Sequence, residues 1–382
     1  MEKYIIFGSP HIEEQDIREV VDSLHSGWLS TGPKVAKFEK MFADYIGASH
    51  ACALGSCTAG LHLALLVVGV KPGDEIITSP MTFAATANVI EHLGAQPVFI
   101  DIERDSMNID VSQISSKVTK RTKAILPVHF AGRPCDMEAV IELAKKHDLH
   151  VIEDAAHCTE GEYRGRKIGT IGDLTAFSFY ATKSLSTGEG GMVTTHNEHW
   201  AEKIKVLSSH GLSRDAWKRY SSEGNSHYQV VVPGYPYNMM DLQAAIGIHQ
   251  LLRLSKSLQR RDEIWRMYDE AFEDLPVETP ASAETGTVHA RHLYTVLVDS
   301  ENAGRSRDGV RRILYEQKVG SGVHFISLHM HPYYANKYGY APEDFPNAMY
   351  VSERTMSLPL SSKLSDDDVA RVIVAVKKAL RK

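Results

Sequence analysis

The chain has 382 residues, a length that suits one large and one smaller unit better than a single simple core. Its composition, 43% apolar and 24% charged, is that of a packed globular protein and excludes disordered and fibrous classes. A net charge of −6 argues against a nucleic-acid groove, which needs clustered Lys and Arg, but leaves room for a small anion in a local cup of donors.

Cys52, Cys57, Cys135 and Cys158 form no CxxC pair, so reduced thiols in a cytoplasmic enzyme are expected. The start, Met1-Glu2-Lys3-Tyr4, lacks the basic and apolar regions of a signal peptide. The longest apolar run, 63–70, is far short of a membrane span, so no membrane partner is expected.

In chain order, Ser9-Pro10 reads as a helix start, a capping hydroxyl followed by proline in the first turn. Ile17, Val20, Val21 and Leu24 then recur at helical spacing up to Gly27. A second helix is predicted after Gly32-Pro33, with Val35, Phe38, Met41, Phe42 and Tyr45 on one face and Gly47 as its stop. From Ala51 the rhythm changes to short strands alternating with helices. Strands are predicted over 51–54, 75–78, 96–101, 124–129, 150–154 and 174–179, with a further apolar run at 192–195. Residues 55–60 read as a turn, Leu61, Ala64, Leu65 and Val68 as a buried helix face, and 82–92 as a helix. Another helical face follows from Met137. This alternation implies parallel βαβ units in a sheet covered on both faces. Ligands of such sheets sit at the carboxyl ends of the strands.

Farther on, helices are predicted over 241–254 and 258–275, followed by a linker at 276–287. A strand at 292–298, a helix at 306–316, a strand at 320–325 and a helix at 365–380 complete the chain. The boundary falls at the start of the long helix, giving a large α/β unit over 1–255 and a small α+β unit over 256–382. No internal repeat or low-complexity segment is visible.

Asp154 closes the apolar run Val151-Ile152-Glu153-Asp154. Lys183 lies in the polar turn after Phe177-Ser178-Phe179, with Gly188-Glu189-Gly190-Gly191 behind it. An amine and a carboxylate at the exits of buried strands are what pyridoxal phosphate requires, one for its aldehyde and one for its pyridinium nitrogen. Plainer roles exist for both: a solvated lysine is the default, and a strand-end Asp serves equally as a helix cap. Small polar neighbours and the glycine-rich bend favour an amine activated by burial.

His157, three residues past Asp154, is placed to reach the same ring, although a lone His is more often structural. Ser56-Cys57-Thr58 precedes a helix, where outward N–H groups and the helix dipole hold a phosphate; an ordinary cap is the commoner meaning. Ser178 faces opposite to Phe177 and Phe179 and offers its hydroxyl to that phosphate. Phe83 is a candidate stacking surface for an aromatic ring, with core packing as the alternative. His324, His329 and His331 match no common zinc spacing, so no metal is expected. His324 and His329 stay candidates for contact with a substrate.

These segments carry a family resemblance that runs nearly end to end. Lys71-Pro72-Gly73-Asp74-Glu75-Ile76-Ile77, Val151 to His157, Phe177 to Lys183, Gly188 to Gly191 and Pro233-Gly234-Tyr235-Pro236-Tyr237-Asn238 together resemble the DegT/DnrJ/StrS aminotransferases. Those are pyridoxal-phosphate (PLP) enzymes that act on nucleotide-linked keto sugars. The resemblance implies the aspartate-aminotransferase (type I) fold, with Lys183 as the Schiff-base lysine and Asp154 as the partner of the ring nitrogen. It implies Phe83 as the stacking residue and Cys57, Thr58 and Ser178 as the phosphate cup. Asn238 matches an asparagine that reaches the phosphate of the other subunit, which implies a homodimer with shared active sites.

Two departures stand out. Cys57 replaces the usual glycine of a Ser-Gly-Thr turn, and His157 stands where Gln is common. A related dehydratase branch replaces the lysine by histidine, so Lys183 favours transamination over a dehydratase or epimerase. A non-catalytic regulator would need a basic reading element or a missing lysine. Within the family, Pro127 to Gly132, Pro233 to Asn238 and Gly322-Val323-His324-Phe325 are similar to the UDP-4-amino-4-deoxy-L-arabinose aminotransferase branch. That likeness suggests glutamate as donor, C4 of a UDP-linked 4-keto sugar as acceptor, and lipopolysaccharide or another surface polysaccharide as the setting.

Overall fold

A computed structural model describes residues 3–213 and 229–381; Met1 and Glu2 of the start segment lie outside them. The centre is a seven-stranded sheet made of β1 (His50–Leu54), β2 (Glu75–Thr78), β3 (Gln96–Phe99), β4 (Thr122–Leu126), β5 (His150–Asp154), β8 (Leu174–Ser178) and β9 (Gly191–Thr195). A small hairpin, β6 (Glu162–Tyr163) with β7 (Arg166–Lys167), stands apart from it. The sheet order is β1-β9-β8-β5-β4-β2-β3. Only β9 runs against its neighbours; the others share one direction. The expected α/β fold with a mostly parallel sheet is what the chain adopts. β2, β8 and β9 are buried at every residue, because helices cover both faces and no solvent face remains to demand alternation.

Two helices show how the strands near the site are held. The helix Pro33–Ile46 places Phe38 and Phe42 against Phe177 and Phe179, with ring centroids 5.1–5.5 Å apart. Since Phe177 and Phe179 point to that side, Ser178 points to the other, toward the helix Cys57–Val67. That second helix lies close on the sheet: a Cβ on Gly60 would stand 2.9 Å from Val193.

A second unit has an antiparallel sheet, β10 (Val277–Glu278), β11 (Tyr294–Val298) and β12 (Thr355–Leu358). The helices Leu254–Phe272, Arg307–Glu316 and Asp366–Leu380 cover it, around Trp265, Tyr268, Phe272 and Tyr294. Ile5 packs in this core as well and bridges to Val319. Among the described residues, no helix is long and apolar enough to cross a membrane.

Several expected boundaries move. The first helix is Glu14–Ser26, not a helix from Ser9, because Glu13 and Asp16 cap each other reciprocally. Cys57 to Gly60 are already helical, with Ser56 as the cap accepting from the Ala59 N–H, so the turn is shorter than expected. Residues 320–325 form no strand; one bridge, Gly322 to Ser357, is all they make. The helix Glu198–Ser208 and the helices Pro332–Tyr338 and Pro346–Arg354 go beyond the sequence expectation.

Candidate active site

A cavity of about 640 Å³ opens at the carboxyl ends of β5 and β8. Cys57, Thr58, Phe83, Asp154, His157, Ser178, Lys183 and His324 all line it. β5 and β8 are adjacent and parallel, with Asp154 in register with Ala176, so β8 runs two residues farther and carries Ser178 past the end of β5 into the cavity. The chain then turns, the Lys183 N–H donating to the Tyr180 carbonyl at 2.9 Å, and returns through the glycines into β9. Gly191 is obligatory here. A Cβ on it would stand 2.4 Å from the Ser56 carbonyl carbon and 2.5 Å from the Cys57 nitrogen, displacing the turn that opens the next helix.

Burial lowers the Lys183 amine to about 8, against the pull of Cys57 and Asp154 in the other direction. Roughly a tenth of it is then free base at pH 7, against about one in a few thousand for an ordinary lysine. Burial pushes the Asp154 carboxyl up, while Thr86, the Ala156 N–H and the nearby Lys183 charge hold it down. The Thr86 hydroxyl donates to Oδ2 at 2.8 Å and the Ala156 N–H to Oδ1 at 3.1 Å, which fixes the carboxylate in one orientation. Thr82 in turn is 2.7 Å from Thr86.

Cys57 keeps its backbone N–H at the helix start while its side chain is buried in the apolar cluster that also holds Leu54, Leu61 and Val193. Burial drives that thiol well above its ordinary range, so it is an inert replacement for glycine. Phe83 precedes the helix Ala84–His92 at its N-cap position and leaves 64% of its surface open on the cavity wall. His157 is buried, its pKa pushed well down by burial and then by Lys183, and its Nδ1 has no hydrogen-bond partner in the chain. His324 bonds Ser357 through Nδ1 at 2.9 Å and is lowered to about 4, chiefly by burial.

Two expected residues stand elsewhere. Asn238 does not line the cavity of its own chain; its backbone bridges Leu54 and its amide donates to Thr31 at 2.8 Å. His329 is fully buried against Phe345 and Ser327, away from the cavity, which leaves it a packing role. The sequence reading missed Thr86, Arg261 and His292, all on the cavity wall. Thr86 had a usable signal, one helical turn beyond Phe83. Arg261 is committed to Glu160 and to the carbonyls of Ala290 and Arg291, so it offers no free charge. His129 likewise is consumed, 3.0 Å from Glu153 on the opposite face of β5. Among the described residues, no three His, Cys, Asp or Glu side chains gather as a metal site.

The donor set fits PLP. A half-buried amine, an oriented carboxylate, an open aromatic face, a helix N-terminus with a nearby hydroxyl and an unpartnered imidazole nitrogen converge on one space. Comparison with known proteins agrees. The chain is 53% identical to the Bacillus subtilis spore coat polysaccharide biosynthesis protein SpsC over 376 residues, covering 98% of this chain and 96% of that one. The fold matches Streptococcus pneumoniae Spr1654 in its PLP form at TM-score 0.91 and 34% identity, over 99% and 100% of the two chains. It matches Helicobacter pylori PseC, an aminotransferase of pseudoaminic acid biosynthesis, at TM-score 0.91 and 28% identity, over 99% of each. The family model of the DegT/DnrJ/EryC1/StrS aminotransferases matches residues 10–377, and the chain belongs to that family of PLP-dependent sugar aminotransferases.

Proposed function

We propose that this enzyme transfers the amino group of L-glutamate to C4 of a UDP-linked 4-keto sugar, within the synthesis of lipopolysaccharide or another surface polysaccharide in the cytoplasm. The observation that carries the transaminase reading is that Asp154, at the end of β5, and Lys183, in the turn after β8, line one cavity. The bound cofactor supplies an electron sink for the charge left when a Cα–H bond breaks. Asp154, held by Thr86 and Ala156, keeps the ring nitrogen protonated. Lys183, with its lowered pKa, would move the proton between the amino-acid Cα and the cofactor C4′, and would make the same transfers in reverse for the sugar. Cys57 N–H, Thr58 and Ser178 would hold its phosphate, and Phe83 and His157 would contact its ring from the cavity wall. The 256–382 unit closes the cavity with His324.

The working unit is a homodimer in which Asn238 completes the partner's phosphate cup. Two features support this. Asn238 faces away from its own cavity, and exposed Trp28, Leu29 and Met240 flank the segment that carries it. The UDP and C4 choices rest on the sequence likeness in the three loops named above. Incubating the PLP-loaded protein with glutamate is expected to bleach its visible band with release of 2-oxoglutarate. A subsequent panel of nucleotide-linked 3-keto and 4-keto sugars is expected to be aminated best at the UDP-4-keto member. No bleaching contradicts transamination, and a preference for another sugar contradicts the acceptor.

A further inference from the structure

His157 is buried on the cavity wall, yet Nδ1 has no hydrogen-bond partner that could fix the ring. What touches the ring are two aromatic faces. Phe325 stacks on it at 5.9 Å and 18°, and His292 lies against it at 4.6 Å and 41°. We infer that His292 is a positioning residue: with Phe325 it clamps the His157 imidazole in place on the wall of the cofactor cavity, replacing the hydrogen bond that its Nδ1 lacks. This rests on the PLP reading of the cavity.

The clamp has its own foundation, and it explains the segment His129-Phe130-Ala131-Gly132. The carbonyls of Ala131 and Gly132 accept from the N–H groups of His292 (3.2 Å) and Ala290 (2.8 Å). Gly132 sits at φ +98°, where a Cβ would stand 2.9 Å from the His157 carbonyl oxygen and 3.2 Å from the His292 nitrogen. The turn therefore runs between the two histidine-bearing segments, and only glycine lets them close on it. Phe130 packs edge-on against Phe325 at 6.1 Å, bracing the other jaw. From behind, Arg261 donates to the carbonyls of Ala290 and Arg291 at 3.2 and 3.0 Å, anchored by Glu160. Residues far apart in sequence thus hold one imidazole by packing and backbone bonds.

The test is a double-mutant cycle read by PLP binding and by the absorbance of the bound cofactor, not by turnover. His157→Ala and His292→Ala are each expected to weaken PLP binding about tenfold and to shift the visible band in the same direction. The double variant is expected to be no worse than either alone, and His292→Phe, which keeps a ring, is expected to restore the wild-type band. Additive losses, or a normal band and PLP affinity in His292→Ala, overturn the clamp. Should His292→Ala fail to fold, His292→Asn enters the same cycle. Loss of PLP binding by the wild-type protein would instead contradict the PLP reading itself.

Discussion

The two N-terminal helices, Glu14–Ser26 and Pro33–Ile46, lie against the same helix, Asp241–Leu252, yet they use their apolar faces in opposite ways. The second buries Val35, Phe38, Phe42 and Ile46 and thereby braces the strand that leads to Lys183. The first turns its polar side inward. Asp16 is buried against Arg253, and Glu19 meets His249 at 2.9 Å and Lys34 at 3.0 Å. Its Ile17 and Leu24 remain 49% and 55% exposed, with Val21 open beside them. Hydrophobic periodicity identifies a helix and a sticky face; it does not say whether that face meets the chain's own core. Here one face braces the site and the other stays open to solvent, the face we propose for the second copy of the homodimer.

The largest effect is expected at the buried face of the second helix. Phe42→Ala removes a ring that touches Phe38, Phe177 and Phe179 and is expected to cost about 3–5 kcal/mol in denaturant unfolding. A much smaller loss would mean that the helix does not brace the strand. On the first helix, Asp16→Ala leaves Arg253 without its buried partner and is expected to cost roughly 2–3 kcal/mol by the same measurement.

By contrast, Ile17→Glu on the exposed face is expected to change the unfolding energy of a chain by no more than about 0.5 kcal/mol. Its effect is expected on the proposed homodimer: sedimentation should show the mass halved. A dimer that persists would place the interface elsewhere. The smallest effect is on acidification. The Glu19 carboxyl is opposed by burial but held below its ordinary value by His249 and Lys34. A carboxyl depressed in the fold adds stability above its unfolded pKa, and that stability is lost as pH falls through the folded value. Unfolding midpoints followed downward through the carboxylate range should therefore decline less in Glu19→Gln than in the parent.

Much of this was legible in advance. Buried strands over β2, β5 and β8 announce themselves as short apolar runs, and Asp154, Ser178 and Lys183 mark their exits. Of the site residues that stayed hidden, Thr86 carried a local signal, one helical turn beyond Phe83, whereas Arg261 and His292 carry none. His292 enters the cavity wall from 135 residues beyond His157, by numbering, through a glycine turn that only tertiary contact explains. Local signals also misled. Ser9-Pro10 has the form of a helix start, but Glu13 and Asp16, capping each other, win the position. Gly60 reads as a turn residue, whereas it is the place where a helix lies close on Val193 and Ala176. The inward polar face of the first helix could not be foreseen, because its partners Arg253 and His249 lie on a distant helix and the loop that follows it.

Lys183 is the residue we propose carries the cofactor. Borohydride reduction of the PLP-loaded protein followed by peptide mapping tests it directly: the pyridoxyl group is expected on Lys183, and on no lysine in Lys183→Ala. A pyridoxyl group fixed on another lysine of the wild-type protein would contradict the account.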